Sequence, residues 1–545
     1  MKNRLIPVVS VIASAAFAAL SASAGAGKEI KMLPGENWWG VANFHGSAMP
    51  FNAKTSLKID IRKDGRANQY ASLMVSDKGR AIWCEEQAEF KIEGGKIRVT
   101  PGGKAPVELV EAGKTLREAF TYASKKWFPA SGRIPDPLFF SAPQYNTWVE
   151  LTYNQNQKDI LAYAKSMIAN GCPPGILMID DTWQAGYGDW RFEPTRFENP
   201  KAMMDELHSL GYKVMLWMCP FVSMDTPSFR RLERGIEPLT GRALKERGGL
   251  LRDKDGKGPA CVSWWNGYSA LLDFTHPFAR KWFKGECDRL VRDYGADGFK
   301  FDGGHLPFYS KGYRTYKKDA TGGEQVLGYA RFTLEYPACE YRNAWRFQGQ
   351  PVVERLHDKH HRWSSLRNLI PDMIAGGLLG HQFMCPDMIG GGDWNSFRPG
   401  AKIDPELFVR FAQVHALCPM MQFSASPWRV LDKKHQQCVR DAVALRQKFA
   451  PEILRLAEEC GRTGEPMLRN MEYCFPGMGY ASIKEQFMLG DNLLVAPQLR
   501  GGAKEREVVI PPGTWRSDDG STVKGPAVVT VSTPLSRLPY FVKEL

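Results

Sequence analysis

No Cys-x-x-Cys pair, Gly-x-Ser-x-Gly elbow, phosphate-binding P-loop or His-Glu-x-x-His segment occurs in the 545 residues. The first absence disfavours a structural zinc site, which needs paired ligands. The others remove the common signatures of serine-nucleophile, nucleotide and zinc-protease chemistry. A dense block of Lys and Arg is missing too. The net charge of +13, from 72 basic and 59 acidic side chains, is spread thinly, so no nucleic-acid partner is expected. Only one long apolar run is present, and neither an internal repeat nor a low-complexity segment follows it.

That run lies at the N-terminus. Lys2 and Arg4 precede an apolar stretch from Leu5 to Leu20, and Ala22-Ser23-Ala24 forms a small-x-small cleavage site. The pattern predicts an export signal over residues 1–24 and a periplasmic or secreted protein without membrane insertion, the run being short for a spanning helix. Removing Lys2 and Arg4 leaves a net charge of about +11 (13 − 2). Eleven cysteines, from Cys84 to Cys474, stand singly, mostly on apolar segments such as those holding Cys219 and Cys385. Buried thiols are expected, with room for one or two bridges in an oxidising compartment.

At 43% hydrophobic and 24% charged residues, the chain has a globular composition, and its length calls for two or three domains. Residues 25–133 read as an N-terminal β-sandwich. Alternating runs such as Ser56 to Arg62 are broken there by Asp64-Gly65 and Gly94-Gly95. A linker over Ser131 to Pro137 leads into a segment of different pattern, residues 134–450. Apolar runs there end in polar residues: Asp180-Asp181, Cys219-Pro220, Asp302, Arg355 with Asp358, and Pro386-Asp387. Helical segments are predicted between them at Asn156 to Asn170, Pro200 to Leu210 and Pro277 to Tyr294. This series predicts an α/β fold, a (β/α)8 TIM barrel, since polar residues gather at the ends of many strands. A doubly wound sheet fits less well without a Gly-rich loop after the first strand. Residues 451–545 return to β character and read as a C-terminal β-sandwich.

Three constellations carry chemistry. In Gly298-Phe-Lys-Phe-Asp302-Gly-Gly, a carboxylate ends a buried strand, and Lys300, two residues earlier, faces the same side. A cation beside Asp302 would keep it ionised, as a nucleophile requires, while the two glycines permit close approach of a ligand; a structural ion pair is the plainer reading. The second is Glu354 to Trp363, rich in acidic and basic groups. Adjacent His360 and His361 diverge, so a metal is not expected there, and a solvated charged loop remains open. The third is a set of aromatics near polar strand ends, including Tyr145, Trp148, Trp183, Trp190, Trp217 and Trp264-Trp265. Sugar rings offer apolar faces to such groups and hydroxyl edges to carboxylates and Arg.

These ordered motifs resemble glycoside hydrolase family 31 over most of the chain. Gly298 to Asp302 is similar to the family's nucleophile strand, and Asp358 with Trp363, Leu366-Arg367 and Ile370-Pro371 to its acid/base segment. Gly377 to Gly380, Pro386 to Gly391, Asn492 to Pro497 and Arg537 to Val542 match later parts. The resemblance implies Asp302 as nucleophile and Asp358 as acid/base of a retaining α-glycosidase that needs no metal or cofactor. It also places Arg342 and the pair Asp180-Asp181 at the substrate, and together with the strand-end residues above the candidate substrate contacts are Trp148, Asp180, Asp181, Trp183, Trp217, Lys300, Arg342 and Asp387. The family's α-glucosidases usually carry Trp-x-Gly-Asp and a later Arg-Asn-His. Here Arg355-Leu-His-Asp358 and Gln422-Phe-Ser424 stand instead. Those departures, with Gln144-Tyr-Asn-Thr-Trp148, are closer to the branch holding bacterial α-galactosidases and myogenesis-regulating glycosidase. The expectation is an exo-acting α-galactosidase on oligosaccharide or glycoconjugate substrates. α-Glucosidase, α-xylosidase and α-N-acetylgalactosaminidase are the alternatives within the family. A catalytically inactive glycan-binding protein is the alternative outside it, and the intact aspartate pair speaks against that one.

Overall fold

A computed structural model describes residues 27–237 and 240–544; the expected export segment, 1–24, lies outside the described residues. The N-terminal part forms two largely antiparallel sheets. One pairs Lys28–Lys31, Lys96–Pro101, Ala88–Glu93 and Leu57–Asp60; the other is built on Gln69–Ser76, Arg80–Cys84 and Val107–Glu111, with Trp38–Ala42 against its first strand. The alternation of buried and outward residues in Lys96–Pro101 is the period-2 pattern of a strand with one covered face. The region is not all β. Leu116–Trp127 is a helix started by a capping box, in which the Thr115 hydroxyl accepts from the Glu118 N–H and the Glu118 carboxylate accepts from the Thr115 N–H. Thr-x-x-Glu before an apolar period was the sequence signal for it.

Eight parallel strands make the barrel. In chain order they are β1 (Gln144–Asn146), β2 (Ile176–Ile179), β3 (Lys213–Met218), β4 (Gly298–Phe301), β5 (Ala338–Tyr341), β6 (Val353–Arg355), β7 (Met384–Cys385) and β8 (Gln422–Phe423). They lie in the order β7-β6-β5-β4-β3-β2-β1-β8, and a parallel bridge from Met388 to Gln422 joins the two ends. The predicted helices form at Gln157–Ala169, Pro200–Ser209 and Pro277–Tyr294. Side chains of Asn156, Asn199 and His276 cap them, and proline at the first turn preorganises the last two. No described helix is long and apolar enough to cross a membrane.

Two features tie the N-terminal sheets to the barrel. The strand Ala344–Trp345 leaves the barrel and pairs with Gln69 and Tyr70. The side-chain amides of Asn68 and Gln69 each donate to the Arg355 carbonyl at 3.0 Å, and Gln69 also donates to the Arg342 carbonyl at 3.2 Å. At the other boundary, the helix Lys433–Thr463 runs through Pro451, so β structure resumes at Leu468 rather than at 451. The C-terminal part is one connected six-stranded antiparallel sheet rather than two separate ones. Its longest strand, Glu505–Ser517, shifts register between Ile510 and Gly513, where Gly513 has φ +121°. All eleven cysteines are free, nine of them buried, and no bridge forms among them.

Candidate active site

At the C-terminal ends of the barrel strands lies a cavity of about 260 Å3. That is below the roughly 300–1,000 Å3 of drug-sized ligand pockets, a volume suited to one sugar ring. The first six strands contribute through residues at or near their ends: Trp148 after β1, Asp180 and Asp181 after β2, Trp217 in β3. Lys300 and Asp302 come from β4, Arg342 follows β5, and Arg355 and Asp358 come from β6 and its loop.

Asp302 sits at the centre. The Arg342 Nη1 lies 3.2 and 3.3 Å from its two oxygens, the Trp217 indole donates to Oδ2 at 3.1 Å, and the Gly303 N–H donates to Oδ1 at 2.6 Å. Burial alone would raise its carboxyl. The charges of Arg342, Lys300 and Arg355, with the indole N–H, outweigh this and hold it far below the usual carboxylate range. The turn beyond it is left-handed at Gly303 and Gly304, with φ +70° and +68°. A Cβ there would stand 2.7 Å from the Phe221 ring and 2.9 Å from Pro220, so the glycines admit neighbouring protein rather than ligand.

Lys300 does face the Asp302 side of the strand, but its ion pair is with Asp180, Nζ to Oδ2 2.6 Å, both side chains 3% exposed. Its register neighbours, Trp217 on β3 and Glu340 on β5, place it in one interior layer of the barrel. Asp180 is steadied by its own N–H, which donates to the Thr147 hydroxyl at 3.0 Å. Asp181 accepts from the Thr182 N–H and from the side chains of Gln184, Tyr187 and Asn266. Burial pushes its carboxyl up to about 7, with the adjacent Asp180 charge adding to the rise against those hydrogen bonds.

Asp358 lies across the cavity, a third exposed, with Arg342 Nη2 at 3.2 Å and Arg355 Nη1 at 2.9 Å. Burial and the Asp302 charge work upward on its carboxyl, yet the two guanidiniums bring it down to about 2. A cavity with one ionised carboxylate on each side of a shared guanidinium can flank the anomeric carbon of a sugar, one group attacking and the other exchanging a proton.

Two of the expected contact residues lie outside the cavity wall. Trp183 is fully buried, stacked on Trp190 with Phe192 tilted against it, and its indole donates to the Trp217 carbonyl at 2.8 Å. It supports Trp217, which in turn donates to Asp302. Asp387 is fully buried in the left-handed region, φ 81°, where its carboxylate accepts from the N–H groups of Lys359 at 2.7 Å and Gly392 at 2.9 Å and pairs with Arg355. It fastens the Asp358 loop from behind. His360 bonds Asp393 and His361 the Gly390 carbonyl. Among the described residues no group of three or more candidate metal ligands occurs.

The mouth was less legible. Tyr153 and Trp265, 44% and 45% exposed, with Asp393 and Trp394 line the opening; Trp265 comes from the turn of the hairpin Cys261–Leu271, and Trp394 from the loop after β7. Edge contacts join Trp148 to Tyr153 at 5.5 Å and Tyr153 to Trp394 at 6.1 Å. Aromatics on three separate loops carry no common spacing that a sequence could display.

Comparison with known proteins bears on the family and the fold. A model of the glycosyl hydrolases family 31 TIM-barrel domain matches residues 140–353 and 341–456, and one of the glycosyl hydrolase family 31 C-terminal domain matches 464–544. The chain is 34% identical over 441 residues to myogenesis-regulating glycosidase of Mus musculus, covering 79% of this chain and 60% of that one. It is 23% identical over 509 residues to an alpha-xylosidase of Emericella nidulans, covering 86% and 60%. The chain thus spans about 60% of the length of both relatives. A Flavobacterium johnsoniae GH31 dextranase complexed with glucose superposes with a TM-score of 0.81 at 18% identity, covering 95% of this chain and 66% of that one. A GH31 alpha-xylosidase from a soil metagenome, complexed with xylose, gives 0.78 at 20%, covering 95% and 79%. At those identities the structural likeness is one of fold.

Proposed function

The chain belongs to glycoside hydrolase family 31, and from that premise we propose that it is a retaining, exo-acting α-galactosidase. The observation that carries the reading is the pair of carboxylates, Asp302 and Asp358, bonded to one Arg342 in a cavity sized for a single ring.

Asp302, ionised under the pull of Arg342, attacks the anomeric carbon as the bond to the leaving oxygen breaks, giving a glycosyl ester. Asp358 donates its proton to that oxygen. It then takes a proton from water, whose oxygen displaces Asp302 and restores the starting configuration. The electrostatics favour the change of role. The Asp302 charge raises the proton affinity of Asp358. Esterification removes that charge, lowering the affinity when a base is needed. The proton that Asp358 donates first must therefore be gained with substrate in place, against the pull of Arg342 and Arg355.

The galacto preference is supported by the departures from the α-glucosidase pattern. Where a histidine would follow in that pattern, Gln422 to Ser424 stand, and Gln422 is turned into the barrel interior, donating to Gln144 and Glu340. The Asp180–Lys300 pair, Asp181 and Trp148 supply polar and apolar partners for a ring with an axial hydroxyl. Export is part of the proposal, supported by the basic, apolar, small-residue order of residues 1–24; a mature N-terminus near residue 25 is its test.

A panel of aryl α-galactoside, α-glucoside, α-xyloside and α-N-acetylgalactosaminide tests the reading. Turnover of the first is expected, and its absence overturns the galacto choice. Asp302→Asn is expected to abolish turnover while sugar binding persists. Unchanged activity in that variant excludes Asp302 as the nucleophile. Binding without turnover of any member in the wild type points to a glycan-binding protein instead.

A further inference from the structure

We propose that Arg355 is the positioning residue of the acid/base: held from behind by Glu340 and Asp387, its guanidinium keeps Asp358 at the cavity wall and governs when that carboxylate carries a proton. The inference rests on the reading of Asp358 as acid/base.

Arg355 is the last residue of β6 and is 1% exposed. Three carboxylates surround its side chain. Nε is 3.3 Å from Glu340 Oε1, Nη1 is 2.9 Å from Asp358 Oδ1, and Nη1 also pairs with Asp387 Oδ1. The two rear carboxylates are themselves pinned, Glu340 by the Gln422 amide at 3.0 Å and Asp387 by the backbone N–H groups of Lys359 and Gly392. The Arg355 carbonyl is held by Asn68 and Gln69 from the N-terminal sheets. A buried guanidinium fixed at this many points stays where it is. Asp358, a third exposed, is the one carboxylate of the cluster open to the cavity.

The other charges facing this cluster leave Arg355 as the distinctive control. From β4, Lys300 is committed to Asp180, and from the segment after β5, Arg342 is divided between Asp302 and Asp358. In the Asp358 loop, Lys359 is paired with Asp372, and His357 is kept neutral by burial and by the neighbouring Lys359 charge. His305, beyond Asp302, is kept neutral by burial, its pKa down to about 4. Of the two guanidiniums on Asp358, only Arg355 makes no bond to the nucleophile. Its charge stabilises the ionised, base form of Asp358. It therefore favours release of the glycosyl ester and limits the first step as pH rises.

The measurement is the basic limb of the pH profile of kcat, which reports the complex with substrate in place, with the aryl α-glycoside that the wild type hydrolyses, expected to be 4-nitrophenyl α-galactoside. Arg355→Gln removes the cation and is expected to move that limb up by about one pH unit or more. Burial raises the Asp387 carboxyl to about 6, so above that pH Asp387→Asn removes a negative charge while leaving Arg355 in place, and is expected to move the limb down. Non-specific damage has no reason to give shifts of opposite sign. Should Arg355→Gln fail to fold, the sign in Asp387→Asn decides alone, and no shift or an upward shift there overturns the proposal. An unmoved limb in a folded Arg355→Gln does so as well. Asp358→Ala separates this from failure of the underlying reading. It should lose far more activity on an alkyl α-glycoside than on the 4-nitrophenyl one, which needs little acid assistance. Equal losses on both reject Asp358 as the acid. Unequal losses with an unmoved limb in Arg355→Gln reject the role of Arg355 only.

Discussion

Asp302 and Asp358 share one guanidinium: Arg342 approaches an oxygen of each to 3.2 Å, Nη1 toward the first and Nη2 toward the second. Two ionised carboxylates in a partly dehydrated cavity repel each other, and a planar cation between them offsets that repulsion while fixing their separation. The arrangement sets both the chemistry and its pH dependence.

Arg342→Met removes the foremost cation on Asp302. kcat/KM is expected to fall by about 10²–10³-fold, the scale of losing one preorganised charge-stabilising group. Because the cation depresses the Asp302 pKa, its loss raises that pKa, and the acidic limb of the profile should move to higher pH. An acidic limb that stays in place would show that Arg342 does not control the nucleophile.

Lys300→Met leaves Asp180 buried without its ion partner. Removing one member of such a pair costs about 3–5 kcal/mol, read as a lower urea midpoint. Pairing it with Asp180→Asn should restore part of the stability, since no charge then remains unpaired. Activity is expected to stay low in the double variant, because both side chains line the cavity.

Asp181 links stability to pH. Its folded pKa, about 7, lies above its ordinary value of 3.8, so the native state holds a proton that the unfolded chain gives up. Between about pH 4 and pH 7 this group lowers stability as pH rises, by about 1.4 kcal/mol per unit while the gap is open. Asp181→Asn removes that dependence. Denaturation series at pH 4 and pH 8 should find the variant gaining on the wild type at the higher pH, and a constant difference would refute the linkage.

Gly46→Ala probes the seat of the N-terminal sheets on the helix Trp363–Leu378, which follows the Asp358 loop. A Cβ at Gly46 would lie 2.3 Å from the Pro371 carbonyl oxygen and 2.6 Å from the Asp372 nitrogen. Backbone atoms in a helix cannot yield as a flexible side chain does, so a loss of about 1–3 kcal/mol is expected in thermal unfolding. A variant as stable as the wild type would mean that this contact is looser than its geometry.

Much of the site could be read from local pattern. Asp180 and Asp302 each end an apolar run, and a side chain just past a barrel strand faces the mouth. Lys300 and Asp302 share a side because strand residues alternate. The helix Leu116–Trp127 interrupts a region of strands, with Thr115 and Glu118 as its local signal. The helix through Pro451 is hidden in the sequence for a different reason. A proline is a common terminator, yet here the helix continues past it, with Ile453, Leu456, Ala457 and Cys460 buried beyond it.

By itself the sequence determined which residues stand at strand ends and which acids are spaced for chemistry, since those follow from the periods of strands and helices. Only the tertiary structure decided which cation serves which acid. Lys300 lies two residues from Asp302 but pairs with Asp180, 120 residues away. Arg355 collects Glu340, Asp358 and Asp387 from three different segments. Trp183 and Asp387, candidates for sugar contact by position, became supports behind the wall. Coulomb attraction and hydrogen bonding depend on distance through space, and closure of the barrel brings separate strand ends within about 3 Å of one another whatever their separation along the chain.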